Sequence, residues 1–341
     1  MKSLFSIFIV IFLVACEPAT EATITWQQAG AGTSSAAISN DANFSINSGF
    51  NEPTGWWDLQ KDARLFNWRQ SPGEGPLEDK DPPYFVDISE DGSRALTASL
   101  RNFVVWDTAS GQSMGYYQVP DKIRSIALSR QAVSVLMGLA DGRSIFMSLK
   151  TGRRLEFFGH RLHAQQQNPP IPGEWIGVNA VAISGNGQYA LSGADDHYAI
   201  LWNTTTGQAL YQWPHKGRVH KVAMTADGRF AFTASSKAEA YIWDLETGKK
   251  VSQLDLKKRE WIISAARFSK TGEFIVTGSP GRDLKLWQAK TGKLIKAWKV
   301  KKRSISKASG AVVLDVAFSE DEKYVLSAAS SGYVQKWLIP N

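Results

Sequence analysis

Residues 178–213 read VNAVAISGNGQYALSGADDHYAILWNTTTGQALYQW. VNAVAIS (178–184) and YAILWN (198–203) alternate with period two, which places successive side chains on opposite faces of a strand. Gly185-Asn186-Gly187 and Thr204 to Gly207 supply turn chemistry between the runs. The stretch reads as four short strands with no helical pattern of useful length.

Working outward, the same unit recurs. The turns SEDG (89–92), TADG (225–228) and SKTG (269–272) repeat SGNG (184–187). Trp57, Trp106, Trp202, Trp243, Trp287 and Trp337 mark the third strand, with Met147 in the equivalent slot of a degenerate copy. The spacings are 49, 41, 55, 41, 44 and 50 residues. Five residues past the first six markers lie Asp62, Gly111, Gly152, Gly207, Gly248 and Gly292. Six further on lie Trp68, Tyr117, Phe158, Trp213, Leu254 and Trp298, one bulky side chain on the same face of every fourth strand.

Four-stranded units of about 40 residues, closed by Trp-Asp at Trp57-Asp58, Trp106-Asp107 and Trp243-Asp244, resemble the WD-repeat β-propeller family. The resemblance covers nearly the whole chain after its leader. Trp337 has four residues after it, too few for a fourth strand, whereas Trp26 in ATITWQQ (22–28) occupies the register of Trp68, Trp213 and Trp298. The N-terminal strand is therefore expected to complete the last blade and remove an exposed sheet edge. The expectation is an all-β, single seven-bladed propeller of four-stranded antiparallel blades, at about 33–69, 83–119, 122–158, 178–214, 218–256, 261–299 and 311–339. A length of 341 residues, which by size alone suggests two domains, becomes one ring. The resemblance also implies a structural hydrogen-bond set in which an Asp six residues before the marker Trp joins a Ser or Thr and a His. Asp196, with Ser192 and Trp202, and Asp141 stand in that place; Asn51, Leu100, Lys237, Gly281 and Ser331 replace the Asp elsewhere.

The first residues assign a compartment. Lys2 precedes LFSIFIVIFLV (4–14), ten apolar residues of eleven, well short of the ~17–25 that span a bilayer. Leu13-Val14-Ala15-Cys16 resembles the bacterial lipobox, which implies a signal peptide over 1–15 and a lipidated Cys16, followed by a short tether over 16–21. Glu17 after the cysteine implies outer-membrane sorting in enteric-type bacteria. Cys16 is the only cysteine, which excludes an intramolecular disulfide framework. Glu17 to Glu21 reach at most roughly 18 Å, so the short-turn face is expected nearer the membrane and the long loops away from it.

Those long connections fall near 69–83, 159–177 and 300–310, all on one face of a propeller, where recognition is commonly carried. Ten of the thirteen Trp fill the two strand registers; Trp56, Trp175 and Trp261 do not. Trp175 and Trp261 each sit in a Glu-Trp-Ile triplet leading into a first strand, where they either staple the loops or serve a partner as hot spots. Basic residues cluster late: Lys257, Lys258 and Arg259, then Lys285, Lys290, Lys293, Lys296, Lys299, Lys301, Lys302, Arg303 and Lys307 with no acid from 284 to 314. The mature chain carries 38 basic and 32 acidic residues, and such a surplus either attracts an anionic surface or keeps a rim solvated. Nucleic acid is not expected.

Catalytic patterns are weak. His160 and His163 share an insert, but two ligands do not make a zinc site. There is no Gly-x-Ser-x-Gly, no His-Glu-x-x-His and no phosphate-cradling loop. The acids lie mostly in hairpin turns, and none is expected to repeat at channel-facing positions. The sequence points to a membrane-anchored, periplasm-facing scaffold without catalysis or cofactor, monomeric, engaging one or more envelope proteins through Trp175, Trp261, Lys257–Arg259 and Lys301–Arg303. An accessory role in outer-membrane protein assembly and a propeller enzyme with a channel-centred site are the alternatives.

Overall fold

A four-stranded sheet that is apolar on both faces needs a neighbour on each side, and a closed ring supplies both. The computed structural model has this arrangement. It describes residues 21–49, 52–70, 83–166, 170, 172, 176–257, 261–303 and 310–340. Its strands form seven four-stranded sheets. Blades 1 to 6 run 35–68, 85–118, 123–157, 178–214, 219–253 and 265–299. Blade 7 joins Val313–Phe318, Tyr324–Ala329 and Tyr333–Leu338 to the N-terminal Ile24–Gln27, with Trp26 opposite Val334. The same pairing sets Trp213 opposite Ala199 and Trp298 opposite Leu284.

Neighbouring strands within each blade are antiparallel, so the turns between first and second and between third and fourth strands share one face of the ring. The connections between blades share the other with the turns between second and third strands. In the third-to-fourth turn the chain passes through the left-handed region at the residue five past the marker, as at Gly207 (φ 78°) and Asp62 (φ 50°). Glycine adopts this conformation without steric cost, and Asp tolerates it.

Seven apolar clusters, one at each blade interface, make up the core of the described residues. They explain why two tryptophan registers recur. The bulky residue of one fourth strand stacks on the marker of the next blade: Trp68 on Trp106 at 5.2 Å, Phe157 on Trp202 at 4.6 Å and Trp213 on Trp243 at 4.8 Å. Trp56 belongs to this core as well. It is 1% exposed between Phe44 and Trp68, so its lack of a register position does not signal a partner.

Two sequence expectations are corrected. Phe158 is not the fourth-strand core residue of blade 3; Phe157 is, at 2% exposure against 44%. In blades 1, 2, 4, 5 and 6 the ladder bulges at the marker Trp, so Leu201 faces Tyr211 while Trp202 faces Ala209. The same ladder of blade 3 has no bulge, running from Met147 opposite Arg154 to Ser144 opposite Phe157. A bulge adds one residue to one strand, and without it the register falls one residue earlier. Secondly, the insert after blade 3 contains a helix, Gly159–Gln166, which its short length and weak amphipathicity concealed.

Candidate functional site

The helix after blade 3 brings His160 to blade 4. His160 is 1% exposed, and both its ring nitrogens are used: Nε2 lies 2.8 Å from Ser192 Oγ, and Nδ1 2.9 Å from the Asp196 carboxylate. Trp202 Nε1 donates to the same Ser192 oxygen at 2.9 Å. The predicted set of Ser192, Asp196 and Trp202 is thus drawn together, and its fourth member is the histidine that sequence reasoning had paired with His163. His163 stacks instead on Tyr198, with ring centroids 4.1 Å apart. This arrangement fastens a connection to a blade.

Elsewhere the set is reduced. The indole N–H donates to Asn47, Thr97, Thr233, Thr277 and Ser327 in blades 1, 2, 5, 6 and 7, at 2.8–3.1 Å. A hydroxyl or amide partner nine or ten residues before each Trp is the sequence signal for this bond, and it survives where the Asp is lost. Asp141 of blade 3 makes no such set. It pairs with Arg143 at 2.6 Å, and Arg143 also reaches Glu156 at 2.8 Å.

In blade 5, Glu239 takes over from the missing Asp. Its carboxylate accepts from Ser235, Tyr241 and the Lys216 N–H, and lies 3.6 Å from His215 Nδ1. Burial pulls His215 down to about 4 against the pull of Glu239. His220 is also lowered to about 4, chiefly by burial, and its Nε2 accepts the Ile263 N–H at 3.1 Å. That bond holds the end of the connection that carries Trp261.

On the long-loop face Trp261 is 45% exposed and Ile262 56%, while Ile263 is buried in the blade 5–6 interface. Lys257 is exposed nearby in the chain. Across the next connection, Lys301 Nζ sits 4.6 Å over Tyr333 and Arg303 donates to the Ala31 carbonyl, tying two interblade loops together. Cys16, Trp175, Lys258 and Arg259 lie outside the described residues. The late basic run does not form one patch. Lys285 is buried 5.7 Å from the Trp287 ring, Lys299 pairs with Asp283 at 2.6 Å, and Lys290 and Lys293 flank a turn on the opposite face from Lys301. Antiparallel reversal scatters a linear run over two faces.

The inner strands surround a cavity of about 770 Å³ that reaches the short-turn face. Two acids of the inner strands line it at different registers, Asp87 opposite Leu96 and Asp315 opposite Ala328. Asp87 accepts the Leu128 N–H at 2.8 Å, and Asp315 accepts the Ile38 N–H at 2.8 Å. Ser35 and Ser125 accept from Val86 and Val181 in the same way. Each side chain reaches the inner strand of the following blade, whose edge N–H would otherwise lack a protein acceptor. Burial raises Asp87 to about 6.

Two segments of the chain match the family model described as WD domain, G-beta repeat. Residues 171–203 cover the three inner strands of blade 4, and residues 249–288 run from the fourth strand of blade 5 through the third of blade 6. The molecule is a seven-bladed β-propeller in which two stretches match the WD-type repeat. No curated protein matches the chain.

Proposed function

We propose that this propeller is a lipid-anchored, periplasm-facing scaffold that holds another envelope protein on its long-loop face. The observation that carries the reading is the exposed Trp261-Ile262 pair, a large aromatic and an aliphatic side chain left in solvent on a rigid support. Tryptophan is strongly enriched among residues that dominate protein interfaces, and a loop on a fixed scaffold is where recognition concentrates. Lys301, Lys302 and Arg303 add positive charge on the same face. The lipobox-like Cys16 supplies the anchor in this reading, and the ring acts as a monomer.

The test is in vivo crosslinking with mass spectrometry on wild type, on a Trp175→Ala, Trp261→Ala, Lys301→Ala, Lys302→Ala, Arg303→Ala variant and on Cys16→Ser. Loss of one crosslinked envelope protein in the loop variant supports the scaffold. An unchanged set of partners ends it. Cys16→Ser should release the protein from the membrane fraction, and retention there would rule out the lipid anchor.

A further inference from the structure

The charges of the long-loop face divide between two sectors. On blades 2 and 3 two arginines are matched, Arg101 with Asp121 at 3.2 Å and Arg143 with Asp141 at 2.6 Å. On blade 5 the bases are not. Lys216 and Lys237 are exposed and enter no ion pair among the described residues. Arg218, also exposed, lies 3.9 Å from Asp195, whose carboxylate Arg124 already holds at 2.9 Å.

The fold gathers these three bases. A Cβ on Gly217 would meet Lys237 Cγ at 2.7 Å, so the Lys237 stem lies over the backbone between Lys216 and Arg218. The Ser236 N–H donates to the Arg218 carbonyl at 3.0 Å, which fastens that turn to the connection between blades 4 and 5. Glu239, the acid of the turn, is 6% exposed, and its carboxylate is taken by Ser235, Tyr241 and the Lys216 N–H.

The exposed apolar pair stands at the same place. Ile263 donates its N–H to His220, two residues after Arg218, which brings Trp261 and Ile262 beside the basic group. Asp255, the exposed acid at the start of that connection, is tied by its N–H to Gly292 in a turn of the opposite face. Residues 257–260 read Lys-Lys-Arg-Glu and add further positive charge. A surface field of one sign selects the opposite sign in a partner and speeds its encounter, and an exposed Trp beside it offers an apolar anchor. The group occupies the top of one blade, which suits a segment of polypeptide and not a bilayer surface spanning the ring.

We propose that the partner of the long-loop face presents an acidic segment carrying an apolar side chain. Its carboxylates lie on Lys216, Arg218 and Lys237, and its apolar side chain packs on Trp261 and Ile262. This inference rests on the scaffold reading and names the chemistry of the partner.

Fluorescence anisotropy of the purified protein with a labelled peptide, Asp-Glu-Asp-Phe-Leu-Asp-Glu-Asp, tests it. The peptide should bind in the millimolar range or tighter, and a version with Lys for every acid should not. Raising salt from about 50 mM to about 500 mM should weaken binding several-fold. Lys216→Glu, Arg218→Glu, Lys237→Glu together should weaken it about tenfold or more, and so should Trp261→Ala. Lys301→Glu, Lys302→Glu on the next connection should change it less than about threefold. All three variants alter solvent-facing side chains and should melt as wild type does. Absence of peptide binding, equal binding of the lysine version, or an equal loss in the Lys301, Lys302 variant would each overturn the proposal. Phosphatidylglycerol vesicles that bind and are lost in the blade 5 variants would do so too, by making the site a lipid surface. Crosslinking separates this inference from the scaffold reading. A partner lost in Trp261→Ala but kept in the blade 5 charge-reversal variant overturns the acidic segment and leaves the scaffold, whereas a partner kept in both ends the two together.

Discussion

Blades 3 and 4 are neighbours with the same strand plan and opposite solutions to holding it. Blade 4 uses a buried chain of four polar groups, His160 to Asp196 and Ser192 to Trp202, with Asp196 fully buried. Blade 3 has Met147 in place of the indole, no bulge between its third and fourth strands, and a second strand, Ser134–Leu139, buried at every residue. Its polar fastening, Arg143 to Asp141 and Glu156, is partly solvent-exposed. A propeller blade can therefore be fixed by a satisfied buried network or by apolar packing with a partly exposed ion-pair cluster. The two differ in what a single substitution costs, because a buried polar group left without its partner loses far more than an exposed one.

The largest expected effect separates the two directly. Asp196→Ala strands His160 and should cost about 3–5 kcal/mol in urea unfolding, whereas Asp141→Ala should cost no more than about 1 kcal/mol. Equal losses would show that the buried set is not what holds blade 4. Next, Phe157→Ala should cost about 3–5 kcal/mol through lost packing on Trp202, and Phe158→Ala should stay within about 0.5 kcal/mol. The reverse order would refute the missing bulge.

Acidification extends the comparison to blade 5. His215 and His220 titrate near 4 when folded and near 6.5 when unfolded, so the unfolded chain binds more protons between those values. Their stabilising contribution is intact above pH 6.5 and declines as pH falls toward 4, by roughly 1–2 kcal/mol for each histidine between pH 7 and pH 5. His220→Gln should flatten that slope in thermal melts at a series of pH values. A slope unchanged from wild type would remove His220 as its source. The smallest effect on stability is expected at Trp261→Ala, within about 0.5 kcal/mol. A loss comparable to Phe157→Ala would make Trp261 a staple of the loop and not a contact for a partner.

Much of the ring was readable from residue positions, for a physical reason. Strand alternation and turn glycines are local, and the offset from Trp202 to Trp213 is fixed by hairpin geometry, so each copy repeats it. Where the geometry changed, the reading slipped. Nothing in residues 144–158 announces that blade 3 lacks a bulge, because a bulge depends on how the facing strand pairs. His160 looked like a loop residue beside His163, since the 36 residues separating it from Asp196 hide a contact of 2.9 Å.

The sequence alone determined the number of blades, the closing N-terminal strand and the two tryptophan registers, because those follow from short-range periodicity and turn chemistry repeated seven times. Tertiary structure decided which charges share a surface. It placed Trp56 in the core, scattered the late lysines over two faces, and brought Asp87, Lys221, Arg267 and Asp315 from four blades to one cavity. Those groups are up to 228 residues apart in sequence, and only closing the ring makes them neighbours.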